Sequence, residues 1–176
     1  MPSTVSRRVL RRFIGTAAIG VGLAATSGCT VPVDAVAGIS VAPDGHLLGL
    51  MMVCGHRIDG ASLYVDSADA DSEVTVGSWT ADHSLTAGLA TWTLDSPSTG
   101  WTVTRSLAPL TAKTTYALYG WTEDDSWSSS SVSFTVTDRE RLTPGMVRYD
   151  HVSGDGDESE ITVPVAEFKA TACDGD

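Results

Sequence analysis

The chain has 176 residues, of which 42% are hydrophobic and 19% charged, with 22 acidic against 11 basic side chains. This length and apolar content fit one globular domain plus a short additional segment, and they exclude a disordered chain and a disulfide-dense miniprotein. The formal charge of −11 argues against a nucleic-acid partner, because phosphate binding needs a basic surface.

Residues 1–28 have the features of a secretory signal peptide. Four arginines precede a 13-residue apolar run from Phe13 to Ala25, which gives way to small residues. The run is shorter than the ~20 residues that span a bilayer, so this order favours an export signal over a transmembrane helix. The arginine pairs also resemble a twin-arginine signal, and the export route therefore stays open.

The signal ends at a cysteine. Thr26-Ser27-Gly28-Cys29 resembles the lipobox of bacterial lipoproteins, in which the cysteine becomes the acylated first residue of the mature chain. This resemblance implies a lipid anchor such as palmitate on Cys29 and a location on the extracytoplasmic side of the cell membrane. Thr26 departs from the usual leucine, which leaves ordinary cleavage and a secreted product as the alternative.

Acylation of Cys29 would leave Cys54 and Cys173, an even number of thiols in an oxidising compartment. We therefore expect these two cysteines to form a disulfide, and two buried reduced thiols are the alternative.

Loss of the four signal arginines leaves seven basic against 22 acidic side chains, a formal charge of −15. Attachment to the membrane would then depend on the lipid and on a tether of residues 29–35, since anionic surfaces repel the domain.

Residues 36–138 have the pattern of an all-β domain, in which short β-rich runs alternate with turn residues such as Pro43-Asp44-Gly45. Eight predicted strands at this spacing suit an antiparallel β-sandwich with one core. The predicted strands cover residues 36–41, 46–54, 61–66, 73–79, 89–95, 101–105, 114–122 and 131–137.

Residues 139–176 form a predicted C-terminal extension of the sandwich. The strand at residues 46–54 is apolar on both faces, so its outer side needs a cover, unless it is simply a central buried strand. We expect residues 161–173 to lie there, fixed through Cys54. The pattern predicts a strand at residues 146–149 and an acidic loop at 153–160, and it fits helix and strand equally well at 165–173.

Leu110, Thr111 and Tyr116, followed by the alternating run Ala117-Leu118-Tyr119, resemble the tyrosine corner of fibronectin type III domains. The resemblance implies an immunoglobulin or fibronectin type III-like β-sandwich in which the tyrosine hydroxyl bonds back to the corner. The chain lacks the early tryptophan of that family. The complete layout also resembles uncharacterised actinobacterial lipoproteins, which implies no activity.

Catalytic signatures are absent from the sequence: it contains no serine elbow, phosphate loop, dinucleotide fingerprint or paired-histidine zinc motif. We therefore expect no catalysis, no cofactor and no resident metal.

Two alternative functions stay open. An exported hydrolase of unrecognised type is one alternative, and it predicts a deep pocket with a histidine beside a serine or carboxylate. A calcium-dependent surface module is the other, because two stretches are rich in carboxylates. These stretches are Asp66, Asp69, Asp71 and Glu73, and then Asp155, Asp157, Glu158 and Glu160.

The leading hypothesis is a binding surface made of aromatic side chains. If Leu118 points into the core, alternation sends Tyr119 and Trp121 to the outside, where Tyr64 would join them. Trp127 lies in the loop between the last two predicted sandwich strands. Such rings offer large contact area at little entropic cost, and we expect an unidentified protein or carbohydrate ligand. The alternative is that the rings pack beneath the extension or against neighbouring strands.

Overall fold

The computed structural model describes residues 30–67, 73–96, 98–153 and 156–174. Within these ranges the chain forms eleven strands and two short helices, and neither helix is long and apolar enough to cross a membrane. The elements are β1 (Val33–Val41), β2 (Leu47–Val53), β3 (Ile58–Val65), β4 (Val74–Leu85), β5 (Gly88–Thr93), β6 (Trp101–Arg105), β7 (Tyr116–Trp121), β8 (Ser128–Ser130), β9 (Val132–Phe134), α1 (Val136–Arg141), β10 (Met146–Val152), β11 (Glu158–Pro164) and α2 (Val165–Thr171).

The strands form one mixed sheet that is nearly closed into a barrel. Hydrogen-bonded neighbours follow the order β5, β2, β1, β8, β7, β3, β4 and β6, and β1 runs parallel to β8. The two outermost strands of this path meet through Trp92 on β5 and Trp101 on β6, whose ring centroids lie 4.2 Å apart. The prediction of an all-β fold is confirmed, but the sheet is not purely antiparallel as predicted, because β1 and β8 run parallel. The immunoglobulin or fibronectin type III sandwich identity stays a prediction.

Two turn motifs have the geometry that their residues predict. The β1–β2 hairpin closes through the Ala42 N–H, which donates to the His46 carbonyl over 2.9 Å, and Gly45 adopts a φ of 89° that favours glycine. At the other motif, the Tyr116 hydroxyl accepts a hydrogen bond from the Thr111 N–H at 2.8 Å. The tyrosine side chain thus ties the start of β7 to the corner that precedes it.

The barrel core is built from side chains that alternate inward along the strands. Trp79 lies opposite Ala61 and points inward, and the Trp92 ring packs on Gly49, where a β-carbon would collide with it. The largest fully buried side chains of this core are Trp79, Trp92, Phe134, Ile39, Leu47, Met51, Ile58, Leu63, Leu94 and Leu118. The aromatic content of the core is therefore separate from the tyrosines and tryptophans that point outward.

The C-terminal segment covers the outer side of β2. β10 pairs with β1 through Gly38 and Ile39, and β11 pairs with β10. Helix α2 then places Phe168, which is fully buried, in a second apolar cluster with Leu50 of β2. The remaining members of this cluster are Val147, Tyr149, Val36, Leu48, Met52, Leu89, Ile161, Val163, Val165 and Ala172.

A disulfide joins Cys54, which follows β2, to Cys173, which follows α2. The two cysteines are 119 positions apart in the sequence. The pairing that the cysteine count predicts is therefore present, and it fixes the end of α2 against the sheet.

Several element boundaries differ from the sequence predictions, such as that of β4, which runs to Leu85 and not to residue 79. β1 begins at Val33, inside the predicted tether, because Ala35 is buried and pairs with Val53 of β2. Helix α1 replaces the end of the last predicted sandwich strand, and β11 includes Glu158–Glu160 of the predicted acidic loop because these residues pair with β10. Residues 165–171, which fit helix and strand equally, are helical.

Candidate binding face

Strands β3 and β7 lie side by side and present three aromatic side chains on the outer surface of the sheet. Tyr119 pairs in register with Ser62, and Tyr64 lies one residue beyond the buried Leu63. Trp121 follows on the same side of β7. All three rings are half-buried. We refer to Tyr64, Tyr119, Trp121 and Ser62 as the aromatic face.

Trp121 is held flat on the neighbouring strand. Its six-membered ring occupies the space that a β-carbon on Gly60 would need, and its indole N–H donates to the Ser62 hydroxyl at 3.0 Å. Gly60 therefore serves a packing role here, because it allows the ring to approach the backbone. One side of the indole lies on the strand, and the ring as a whole remains only half-buried.

Hydrogen bonds and a ring contact hold the side chains of the aromatic face in position. The Ser62 hydroxyl accepts from the Trp121 N–H and lies 3.2 Å from the Ser78 hydroxyl on β4. The rings of Tyr64 and Tyr119 meet edge to face, with centroids 5.6 Å apart. This network fixes the positions of the rings before any ligand arrives.

The aromatic face lies in a negative electrostatic field. Burial raises the pKa of Tyr64 and of Tyr119, and the nearby Glu73 carboxylate raises both further. Asp66 adds to the raised pKa of Tyr64, and Asp125 adds to that of Tyr119. Both phenols are therefore neutral near pH 7, and the carboxylates supply the charge at this surface.

Trp127, the fourth predicted residue, lies at a different place. Its ring stacks on His56 with centroids 3.5 Å apart, and its backbone N–H donates to the Thr122 hydroxyl at 3.0 Å. The His56 Nδ1 is 2.7 Å from Asp34 Oδ2. Burial alone would raise the pKa of Asp34, but hydrogen bonds from His56 and Gly55 outweigh that effect and lower it. Three of the four predicted aromatic residues are thus brought together, and Trp127 contacts the β2–β3 loop.

A groove of about 410 Å³ lies between β1, β10 and the end of α2. Val33, Tyr149, His151 and Ser153 are among its lining residues. Across the residues that the structure describes, no hydrogen bond joins a histidine ring to a serine hydroxyl. The partners seen for histidine ring nitrogens are carboxylates, Asp95 for His46 and Asp34 for His56.

Some predicted residues lie outside the described residues, namely Cys29, Asp69, Asp71 and Asp155. Of the remaining acidic residues, Asp66 accepts a hydrogen bond from Ser133 at 3.1 Å, and Glu160 pairs with Arg148. Asp157 and Glu158 are exposed. In the part of the chain that is described, no three histidine, cysteine or carboxylate groups are arranged to hold a metal ion.

Replacing Gly60 with alanine is expected to lower the free energy of unfolding by about 1 to 3 kcal/mol, because the added carbon meets the Trp121 ring and lies 2.7 Å from the Trp79 carbonyl. Chemical denaturation measures this loss. Because the indole is nearest to the added carbon, Gly60→Ala should cost less stability in a Trp121→Leu background than in the wild type. A double-mutant cycle measures this difference. Strictly additive losses would contradict the described contact.

Gly60 and Ser62 also belong to this site, although the sequence pattern does not predict them. Both lie on β3, about sixty positions before their partners on β7, so no local pattern indicates the contact. Comparison of the chain with protein families, with curated proteins and with solved structures finds no match. Its function must therefore be inferred from its own residues.

Proposed function

We propose that this chain is an exported lipoprotein that acts as a non-catalytic binding module of the cell envelope. The aromatic face carries this proposal, because three outward rings are held in place by their own hydrogen bonds while the core has a separate aromatic set. In this proposal, acylated Cys29 attaches the domain to the extracytoplasmic side of the membrane. The ligand is a protein or a carbohydrate, and nucleic acid is excluded by charge.

The position of the first strand supports a short connection to the membrane. The Pro32 carbonyl accepts a hydrogen bond from the Ser128 N–H at 2.9 Å, so the fold begins three residues after Cys29. Three extended residues reach only about 11 Å. An acyl group on Cys29 would therefore hold this end of the barrel close to the bilayer.

The topology also supports the proposed relationship to immunoglobulin and fibronectin type III domains. The hydrogen bond from the Thr111 N–H to the Tyr116 hydroxyl is the contact expected of a tyrosine corner before β7. The first strand pairs in parallel with β8, which lies near the end of the predicted sandwich domain. Sandwich domains of this kind commonly bind partners through exposed strands and loops.

Metabolic labelling with a palmitate analogue tests the anchor. We expect label on the full-length protein and none on a Cys29→Ser variant, which should appear outside the membrane fraction. A Cys29→Ser variant that labels as strongly as the wild type would contradict acylation at this residue. Cys54→Ala with Cys173→Ala is the matched control and should keep the label.

A double variant, Tyr119→Ser with Trp121→Ser, tests the binding role. We expect it to remain folded, as judged by its melting temperature, and to lose the retention of envelope components in a cell-surface pull-down. Trp127→Ser, which changes an aromatic residue at another site, serves as the control. Unchanged retention in the folded double variant would remove the aromatic face from the function.

A further inference from the structure

The aromatic face is flanked by carboxylates at both ends. Asp66 directly follows β3 and Glu73 directly precedes β4, next to the pair formed by Val65 and Val74. Asp125 lies in the turn that follows β7. None of these three carboxylates forms an ion pair with a cation in the described ranges of the chain.

Two arginines near this part of the sheet are engaged elsewhere. Arg57 pairs with Asp59 and Asp124, and it lies 2.8 Å from the latter. Arg105 on the β6 edge donates to the Thr75 carbonyl at 2.9 Å. The negative field at the rings is therefore not neutralised by an ion pair within the described residues.

The hydrogen bonds at the face help to distinguish between ligand classes. A saccharide needs hydrogen-bonding partners for its hydroxyl groups in addition to a stacking surface. The Ser62 hydroxyl and the Trp121 N–H already bond to protein groups. Ring faces and carboxylates both attract cations, and the three carboxylates without an ion pair in the described residues favour a positively charged partner over a neutral saccharide.

We propose that the aromatic face binds arginine side chains of a basic polypeptide segment. A planar guanidinium stacks on the indole of Trp121, and neighbouring basic groups of the same segment pair with Glu73, Asp66 and Asp125. This inference rests on the proposed binding function and names the partner for that site. The strongly acidic domain would also speed the approach of such a partner at low ionic strength.

Fluorescence anisotropy with the full-length protein tests this inference directly. The probe is a labelled peptide of alternating arginine and glycine, and its control is the same peptide with citrulline, a neutral analogue of similar shape. We expect the arginine peptide to bind at least about tenfold more tightly and to weaken as salt is added. Equal binding of the two peptides would overturn the proposal.

Paired variants separate recognition at the face from general attraction to an acidic protein. Trp121→Leu and Glu73→Gln should each weaken binding of the arginine peptide by about fivefold. The matched control Glu140→Gln, which changes an exposed carboxylate on helix α1, should leave it unchanged. An equal effect of Glu140→Gln and Glu73→Gln would mean that only net charge matters, and it would overturn the proposal.

Two further outcomes distinguish this inference from the proposed function. Binding of a neutral oligosaccharide that depends on Trp121, without binding of the arginine peptide, would overturn the inference and leave the binding role intact. Unchanged retention of envelope components by the Tyr119→Ser, Trp121→Ser variant would instead overturn the binding role. Glu73 is exposed, so Glu73→Gln keeps the test decisive if a Trp121 variant fails to fold.

Discussion

A variant with Cys54→Ala and Cys173→Ala is expected to lose about 4 to 5 kcal/mol of unfolding free energy, because the disulfide closes a loop of 119 positions in the unfolded chain. Closing a loop of this length removes many conformations from the unfolded chain. Urea denaturation of the oxidised wild type and of the variant measures the difference. We expect the transition to stay cooperative and to move to lower denaturant concentration.

The Cys29→Ser variant is the control for this experiment, since it removes the one cysteine that takes no part in the disulfide. It should leave the free energy of unfolding unchanged. A loss below about 1 kcal/mol in the double cysteine variant would mean that the bond adds little constraint beyond the packing of α2.

Phe168→Ala is expected to lower the free energy of unfolding by about 3 to 5 kcal/mol. The ring is fully buried, and it contacts Tyr149 edge to face with centroids 4.8 Å apart. Truncation leaves a cavity between α2 and β2, which the surrounding strands can fill only in part. Thermal or chemical denaturation measures the loss.

Lys169→Ala, at the next position of α2, provides the matched control because Lys169 is exposed. It should change stability by less than about 0.5 kcal/mol. Since the disulfide and Phe168 hold the same helix, the combined variant should lose less than the sum of the separate losses. Full additivity would show that the two attachments act on independent parts of the fold.

Alternation of apolar and polar residues predicts several features of this fold and of the candidate site. Leu118 is buried while Tyr119 and Trp121 lie on the outer surface, as a two-residue period requires. The doubly apolar β2 indicates a second apolar layer, and Phe168 lies in the cluster on its outer side. These features depend on neighbouring residues in the chain and can therefore be predicted locally.

Helix α1 shows where a local pattern misleads. The alternation of Val132, Phe134 and Val136 favours a strand through residue 137, but Thr135 and Asp138 form a capping box that starts a helix at Val136. The Asp138 carboxylate accepts from the Thr135 N–H at 2.9 Å. The capping signal is visible in the sequence, and it competes with the strand signal across the same residues.

Contacts between strands that are far apart in the sequence cannot be predicted from local patterns. The placement of Trp121 over Gly60 depends on the register of β7 against β3, and the stack of Trp127 on His56 depends on where two loops meet. A shift of one residue in the register of β7 against β3 would turn Trp121 to the opposite face. The aromatic composition of the site is therefore predictable, while its arrangement is not.

The pairing of β1 has a mechanical consequence. β1 bonds to β2 along one edge and to β8 and β10 along the other, and it directly follows the residues that lead from Cys29. A pulling force applied at that end acts along the strand and loads both rows of hydrogen bonds together in shear. A strand at the sheet edge would instead peel away one bond at a time. The first strand thus provides a firm point of attachment, so tension reaches the middle of the sheet.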